Sequence, residues 1–238
     1  MRLSKSAILK YLACPADFKY DYILDFRHQR EAPGEDSALT KGTRIHQIFE
    51  DFYKSPLLET LEEPYYDNIL EILYTLENAH KYENHMENFA EFNTHQIKTK
   101  GIDNWMPLDL EMEVFDKELK FLGYIDRVDL EENGLRVIDY KSSKKDKPVK
   151  HYLLELALYA LVYERLTGNK VYDAGIYFSN TGKLRTTPIT EEDKEKAMQT
   201  IFNVREAIKM KHFPPKSNYF CRFCDNQNIC TTDIEASF

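Results

Sequence analysis

The 238-residue sequence predicts a mixed α/β domain whose sheet opens with an antiparallel meander and is flanked by helices. Three observations predict it. Apolar residues recur at helical spacing through the N-terminal part of the chain. From Leu108 the period changes to two, in runs broken by the turn pair Asn133-Gly134. A further helical stretch, two more strand-like runs and a last helix follow.

Residues 4–13 read as a short helix with Ser4 as its N-cap, and a second short helix follows Pro15, a residue suited to a first turn. Residues 27–41, with Pro33 and Gly34, read as an exposed loop. Lys41 to Tyr53 is amphipathic, with Ile45, Ile48, Phe49 and Phe52 on the buried side. Pro64 to about Phe92 reads as one long helical region. Leu108–Phe115, Leu119–Leu130 and Leu135–Ser142 are three strands, with a tight hairpin at Asn133-Gly134. Val149 to Leu166 is helical and ends at Gly168, a natural C-cap. Val171–Phe178 and Lys183–Pro188 form strands around Asn180-Thr181-Gly182. Thr190 then caps a helix to about Met210, and the tail carries three cysteines.

Composition bounds the class. Apolar residues make up 42% and charged residues 30%, the balance of a soluble globular chain. The longest uninterrupted apolar run, which includes Ala157 to Tyr163, is far too short to span a bilayer. The N-terminus lacks a signal-peptide core, so an intracellular, cytoplasmic protein without a membrane partner is expected. A net charge of −8 gives no overall field toward nucleic acid. DNA or RNA binding would need a local basic groove or bridging metal ions.

The chemistry concentrates in GYIDRVDLEENGLRVIDYKSS. Side chains alternate along a strand, so Tyr124, Asp126, Val128 and Leu130 share one face, as do Leu135, Val137, Asp139 and Lys141. With Asn133-Gly134 as the turn, Glu132 pairs with Leu135, Asp126 lies opposite Lys141, and Asp139 sits diagonally beside Asp126. Two carboxylates and an ammonium on an otherwise apolar face are costly unless paired or metal-bound. An Asp126–Lys141 ion pair is the plainer reading. An oxygen-rich site for Mg²⁺ or Mn²⁺ also accounts for the second carboxylate.

These residues, Gly-Tyr-Ile-Asp126-Arg-Val-Asp and Val-Ile-Asp139-Tyr-Lys141-Ser, resemble the core of the PD-(D/E)XK nuclease superfamily, closest to its RecB-like exonuclease branch. The proline of the family name is replaced by Ile125, and the middle acid is Asp. The resemblance implies a restriction-endonuclease-like fold and a metal-dependent phosphodiesterase. It makes Asp126 and Asp139 metal-binding acids, the Tyr140 carbonyl a further ligand and Lys141 the catalytic lysine. Gly42-Thr43-Arg44-Ile45-His46-Gln47-Ile48-Phe49-Glu50 resembles the helix that precedes the sheet in this branch, which makes His46 a metal ligand. Glu111 or Glu113 would supply a further acid, or an exposed strand edge. Glu155 and Tyr159 resemble the family's Q-L-x-x-Y helix, with Glu155 replacing the glutamine, and are expected to face the site or the DNA. Tyr159 could equally be a core aromatic. Lys144 and Lys145, with Lys147 and Lys150, lie where they could contact phosphate, although such a run also reads as a solvated loop.

Cys221, Cys224 and Cys230 close the chain and Cys14 stands alone near its start. Four cysteines in an intracellular chain point to a Cys₄ zinc site or a [4Fe–4S] cluster, and spacing does not decide between them. RecB-like nucleases of the AddB type and CRISPR-associated ones are similar in layout, one cysteine before the core and three after it, which implies [4Fe–4S]. The expected organisation is a single domain over 1–238. In it, 1–26 and 211–238 form the cluster-binding ends around a 41–210 core, with a helical insertion at about 60–105. The expected activity is hydrolysis of single-stranded or frayed DNA ends by an exonuclease, alone or with DNA repair or CRISPR-adaptation partners. The alternative is a non-catalytic protein that retains the fold and binds DNA ends or partners.

Overall fold

The computed structural model describes residues 1–29, 32, 34–61 and 65–230. In chain order these form α1 (Lys5–Ala13), α2 (Pro15–Phe18), α3 (Ala38–Tyr53), α4 (Tyr66–Tyr74), α5 (Glu83–Lys100), β1 (Asp109–Asp116), β2 (Phe121–Glu131), β3 (Gly134–Lys141), α6 (Leu153–Thr167), β4 (Val171–Phe178), β5 (Lys183–Pro188) and α7 (Glu191–Lys209). They fall into two compact units. An end unit lies within Met1–Ala32, Phe115–Gly123 and Glu195–Phe238; a sheet unit lies within Pro33–Val114 and Tyr124–Lys194. No helix among the described residues is long and apolar enough to cross a membrane.

The five strands lie in the order β1-β2-β3-β4-β5. β2 and β3 are antiparallel, β3 and β4 parallel, and β4 and β5 antiparallel, so the sheet is mixed. The parallel step requires a crossover, and α6 supplies it. α6 ends at Gly168, whose φ of +77° lets its N–H reach the Glu164 carbonyl. Ile45, Ile48, Phe49 and Phe52 of α3 pack with Ile72, Met86 and Phe89 of α4 and α5 and with Ile138, Tyr140 and Tyr177 of the sheet. The Phe49 and Phe89 rings stack with centroids 3.7 Å apart.

Three expectations change. α3 begins at Ala38, one turn before Lys41, because Ser37 caps it by accepting the Thr40 N–H. The expected long helix is two helices. α4 ends at Tyr74, Asn78 takes a left-handed φ of +65°, and a 3₁₀ turn, Ala79–Tyr82, leads into α5. Pro64, its expected start, lies outside the described residues, as does Pro33. The hairpin turns at Glu132-Asn133, one residue early, with Glu131 paired to Gly134 and Leu130 to Leu135. Gly134 takes the positive φ, +125°.

Under the sheet, Arg127 is fully buried. Its Nε donates to Asp129 at 2.6 Å, its Nη1 donates to the Tyr53 hydroxyl, and its guanidinium lies 5.1 Å from the Phe92 ring centroid. Lys100 reaches Asp129 at 3.5 Å and Glu131 at 2.9 Å. The guanidinium, absent from the expected core, is thus matched in charge and hydrogen bonding.

In the end unit, Leu3 forms an isolated parallel bridge with Phe121, its N–H donating to the Lys120 carbonyl at 2.8 Å. Ser4 caps α1, and α2 continues into a π-helical turn, Lys19–Ile23. The Tyr11 hydroxyl donates to the His212 carbonyl at 2.7 Å, and the Asn226 amide donates to Asp21 at 3.0 Å, so early and late parts of the chain share one core.

Candidate active site

Five elements of the sheet unit, α3, β1, β2, β3 and α6, deliver the site residues. His46 lies on α3 two turns after the cap. Asp126 sits on β2 just beyond the Arg127–Ile138 pair, where the ladder to β3 gives way to a side-chain bond. There Asp126 Oδ2 accepts the Tyr140 N–H at 2.6 Å. Asp139 and Lys141 follow on β3, on the same face as one another. The register carries Asp126 toward Asp139 rather than toward Lys141, a shift of two that preserves the shared face.

His46 binds the group together. Its Nδ1 lies 3.5 Å from Asp126 Oδ1 and 3.8 Å from Glu111 Oε1, and its Nε2 faces the Tyr140 carbonyl at 3.2 Å. Donor atoms of His46, Glu111 and Asp126 all fall within 4.8 Å of one another. Of the two acids that the pattern of β1 offers, Glu111 therefore joins the site and Glu113 does not. Glu111 reaches it from a left-handed backbone, φ +42°, which breaks the alternation of β1. Glu113 is exposed and accepts the Tyr124 hydroxyl at 2.7 Å. No local sequence signal marks this kink.

The electrostatics follow from crowding. Burial first, then the Asp126 charge, pushes Glu111 up to about 7, against the opposing pull of His46. Burial disfavours the charged His46 ring. The Asp126 hydrogen bond and the charges of Asp126, Asp139 and Glu111 outweigh it and raise its pKa. Among the described residues, Glu111 Oε1 is buried without a hydrogen-bond partner. An imidazole nitrogen, carboxylate oxygens and this orphaned oxygen are a donor set that fits a divalent cation of the Mg²⁺ or Mn²⁺ type.

Lys141 Nζ lies 2.7 Å from Asp139 Oδ2 and 3.5 Å from Glu155 Oε2, so Glu155 joins the site from α6. The Lys141 ammonium is also 5.7 Å from the Tyr152 ring centroid. Tyr159 is buried, 5% exposed, on α6. Lys144 and Lys145 are exposed on the loop after β3. Glu50 pairs with Lys54 on the surface of α3, and Tyr53 bonds Arg127.

In the end unit, Cys14, Cys221, Cys224 and Cys230 line one cavity of about 140 Å³. The Asn218 N–H reaches the Cys221 sulfur at 3.3 Å, and the Cys224 thiol reaches Asp17 at 3.4 Å. Burial, with the Asp17 charge, raises the Cys224 thiol to about 11.

Comparison with known proteins bears on the family and the fold. The chain is 27% identical over 201 residues to one component of the ATP-dependent helicase/deoxyribonuclease of Clostridioides difficile, a match over 68% of this chain and 17% of that protein. It is 26% identical over 169 residues to one component of the ATP-dependent helicase/nuclease of a Thermoanaerobacter species, over 62% of this chain and 14% of that protein. The matches thus span a small part of those relatives. A solved structure from Eubacterium rectale, described as a "Putative exonuclease", superposes with a TM-score of 0.54 at 12% identity, covering 98% of this chain and 90% of that one. The family model of the PD-(D/E)XK nuclease superfamily matches residues 2–231, nearly the whole sequence, and the chain belongs to that superfamily.

Proposed function

We propose that this protein is a metal-dependent deoxyribonuclease, an exonuclease that hydrolyses phosphodiester bonds of single-stranded or frayed DNA ends. The observation that carries the reading is the gathering of His46, Glu111 and Asp126 within 4.8 Å, beside the Asp139–Lys141 pair. His46, Glu111, Asp126 and Asp139 would hold Mg²⁺ or Mn²⁺, with the Tyr140 carbonyl as a further donor. Such an ion, when bound, acidifies water and offsets phosphate charge. The Tyr140 N–H keeps the Asp126 carboxylate in one orientation. Asp139 and Glu155 hold the Lys141 ammonium at the site, where it orients the attacking water and meets the developing negative charge. Lys144 and Lys145 are placed to meet the DNA backbone. Tyr159, buried on α6, would support that helix.

For the four cysteines we propose a [4Fe–4S] cluster. Two observations support it: all four line one cavity, and they follow the layout of one cysteine before the core and three after it. Four thiolates, one to each iron, complete the ligand set of such a cluster. The relatives are subunits of ATP-dependent helicase/nucleases, which supports work within a larger assembly; we place that work in DNA repair or CRISPR adaptation.

The test is an assay on end-labelled single- and double-stranded DNA, with and without Mn²⁺. Cation-dependent loss of end label, absent in Asp139→Ala, is expected. Binding of DNA ends with no cleavage under any cation would overturn the catalytic reading in favour of an end-binding protein.

A further inference from the structure

We propose that Tyr219, Phe220 and Phe223, with Arg222, form a stacking platform for the unpaired bases of single-stranded DNA. The proposal rests on the nuclease reading above and adds a contact to it outside the metal site. The three rings sit on one 3₁₀ turn, Tyr219–Phe223, and are 60%, 67% and 68% exposed. Their neighbour Phe213 behaves differently. It packs between Tyr11 and Phe18, at centroid distances of 6.4 and 6.2 Å. Among the described residues, the ring contacts of Tyr219 stay within its own turn, Phe220 at 5.6 Å and Phe223 at 6.2 Å. Arg222 lies with its guanidinium carbon 4.1 Å from the Tyr219 ring and 5.8 Å from that of Phe223.

The turn is held firmly. Asn218 caps it, accepting the Phe220 N–H at 2.8 Å. Cys221 and Cys224, on the same turn and at its end, line the thiol cavity, and Phe220 borders it while remaining 67% exposed. Three large rings are thus presented to solvent on a fixed backbone.

Charge identifies the occupant. Between residues 209 and 225 the chain carries Lys209, Lys211, Lys216 and Arg222 against Asp225 alone, within a protein of net charge −8. All four basic residues are exposed. Exposed aromatic rings interleaved with cationic side chains match a polyanion that carries flat apolar faces. Single-stranded nucleic acid fits, because every base has a face to stack and the cations follow the phosphates. A duplex fits poorly, since its base faces are covered by neighbouring pairs.

The experiment uses the full chain without added divalent cation and a fluorescein-labelled oligo(dT) of about 20 nucleotides, followed by anisotropy across salt concentration. The triple variant Y219A/F220A/F223A should bind at least about tenfold more weakly, with an unchanged salt slope and unchanged melting. Arg222→Gln should flatten the slope by about 0.7, one phosphate contact on a single strand. Phe220→Trp should bind like wild type and show tryptophan quenching when DNA is added, because the existing Trp105 is buried. Triple-variant affinity within about twofold of wild type, or unquenched Phe220→Trp at saturation, overturns the platform. So does a dimer that the triple variant splits with DNA affinity intact, since the rings would then serve self-association. Wild type that cuts end-labelled DNA while the variants bind normally removes the platform alone. Wild type that neither binds nor cuts removes the nuclease reading with it.

Discussion

Asp126 accepts the buried N–H of Tyr140 at 2.6 Å with one oxygen and turns the other toward His46, at 3.5 Å. One carboxylate therefore finishes the β2–β3 pairing and, in the proposed site, would supply a metal donor. The two roles separate by substitution. Asp126→Asn keeps an acceptor for Tyr140, so the fold should hold while Mn²⁺ affinity drops by at least about tenfold in calorimetric titration. Asp126→Ala should also lose about 1–3 kcal/mol in chemical denaturation, because the Tyr140 N–H is left unpaired.

Lys141→Ala should leave Mn²⁺ binding nearly intact and lower cleavage by about 10² or more, since its ammonium serves the water and the phosphate rather than the ion. Single-turnover rates on end-labelled DNA check this. Wild-type rates in the variant would remove Lys141 from catalysis.

The crowded acids give the metal-free protein a definite pH response. Glu111 is raised to about 7, above its usual value of 4.5, so the folded state binds more protons than the unfolded chain over that window. The contribution to stability is therefore full below about 4.5 and declines as pH rises through about 7. The raised His46 acts in the same sense, its contribution fading as pH climbs past its folded pKa. Mn²⁺ must displace the Glu111 proton, so binding at about pH 6 should release protons and tighten toward about pH 8. Calorimetry in buffers of different ionisation enthalpy measures the release, and Glu111→Gln should reduce it.

Arg127→Met leaves the Asp129 carboxylate buried beside Lys100 without its closest cation, and should cost about 3–5 kcal/mol. Pairing it with Asp129→Leu should recover a large share. Denaturant midpoints of the two single variants and the double variant give the coupling directly.

Anaerobically purified protein should be brown and contain iron, whereas stoichiometric zinc without iron would refute the cluster. Cys14→Ala should lose the colour. About 200 residues separate Cys14 from Cys221, so opening that closure should lower stability by about 5 kcal/mol on loop-entropy grounds. Asp139→Ala should remain brown, because its lesion is at the other site.

Much of this is legible in the residue pattern, for reasons that differ by element. β4 and β5 match their expected bounds because Gly182, with φ +68°, leaves little choice for the turn between them. The β2–β3 register differs by two from the one the Asn133-Gly134 pair suggests. Asp126, Asp139 and Lys141 still share a face, because an even shift conserves side-chain parity. Glu111 is not separable from Glu113 by pattern, since the kink that selects it is a backbone state no side chain advertises. Arg127 is hidden for a different reason. A buried guanidinium is tolerated only through partners such as Tyr53 and the Trp105 carbonyl, and those meet it only in the folded chain.

The end unit draws its core from stretches far apart in the chain: Tyr11 finds the His212 carbonyl 201 positions later, and Asp21 finds Asn226 after 205. On the ribosome, α1 emerges long before these partners exist. The sheet unit, more local in its contacts, should consolidate first, while the amphipathic α1 waits with its apolar side uncovered. α1 is thus among the last elements to find its place, and Cys14 cannot meet the other three thiols until translation has passed Cys230. Metal insertion at those thiols would then be a late event in maturation, and a ribosome-bound chain stalled before Cys221 should carry none.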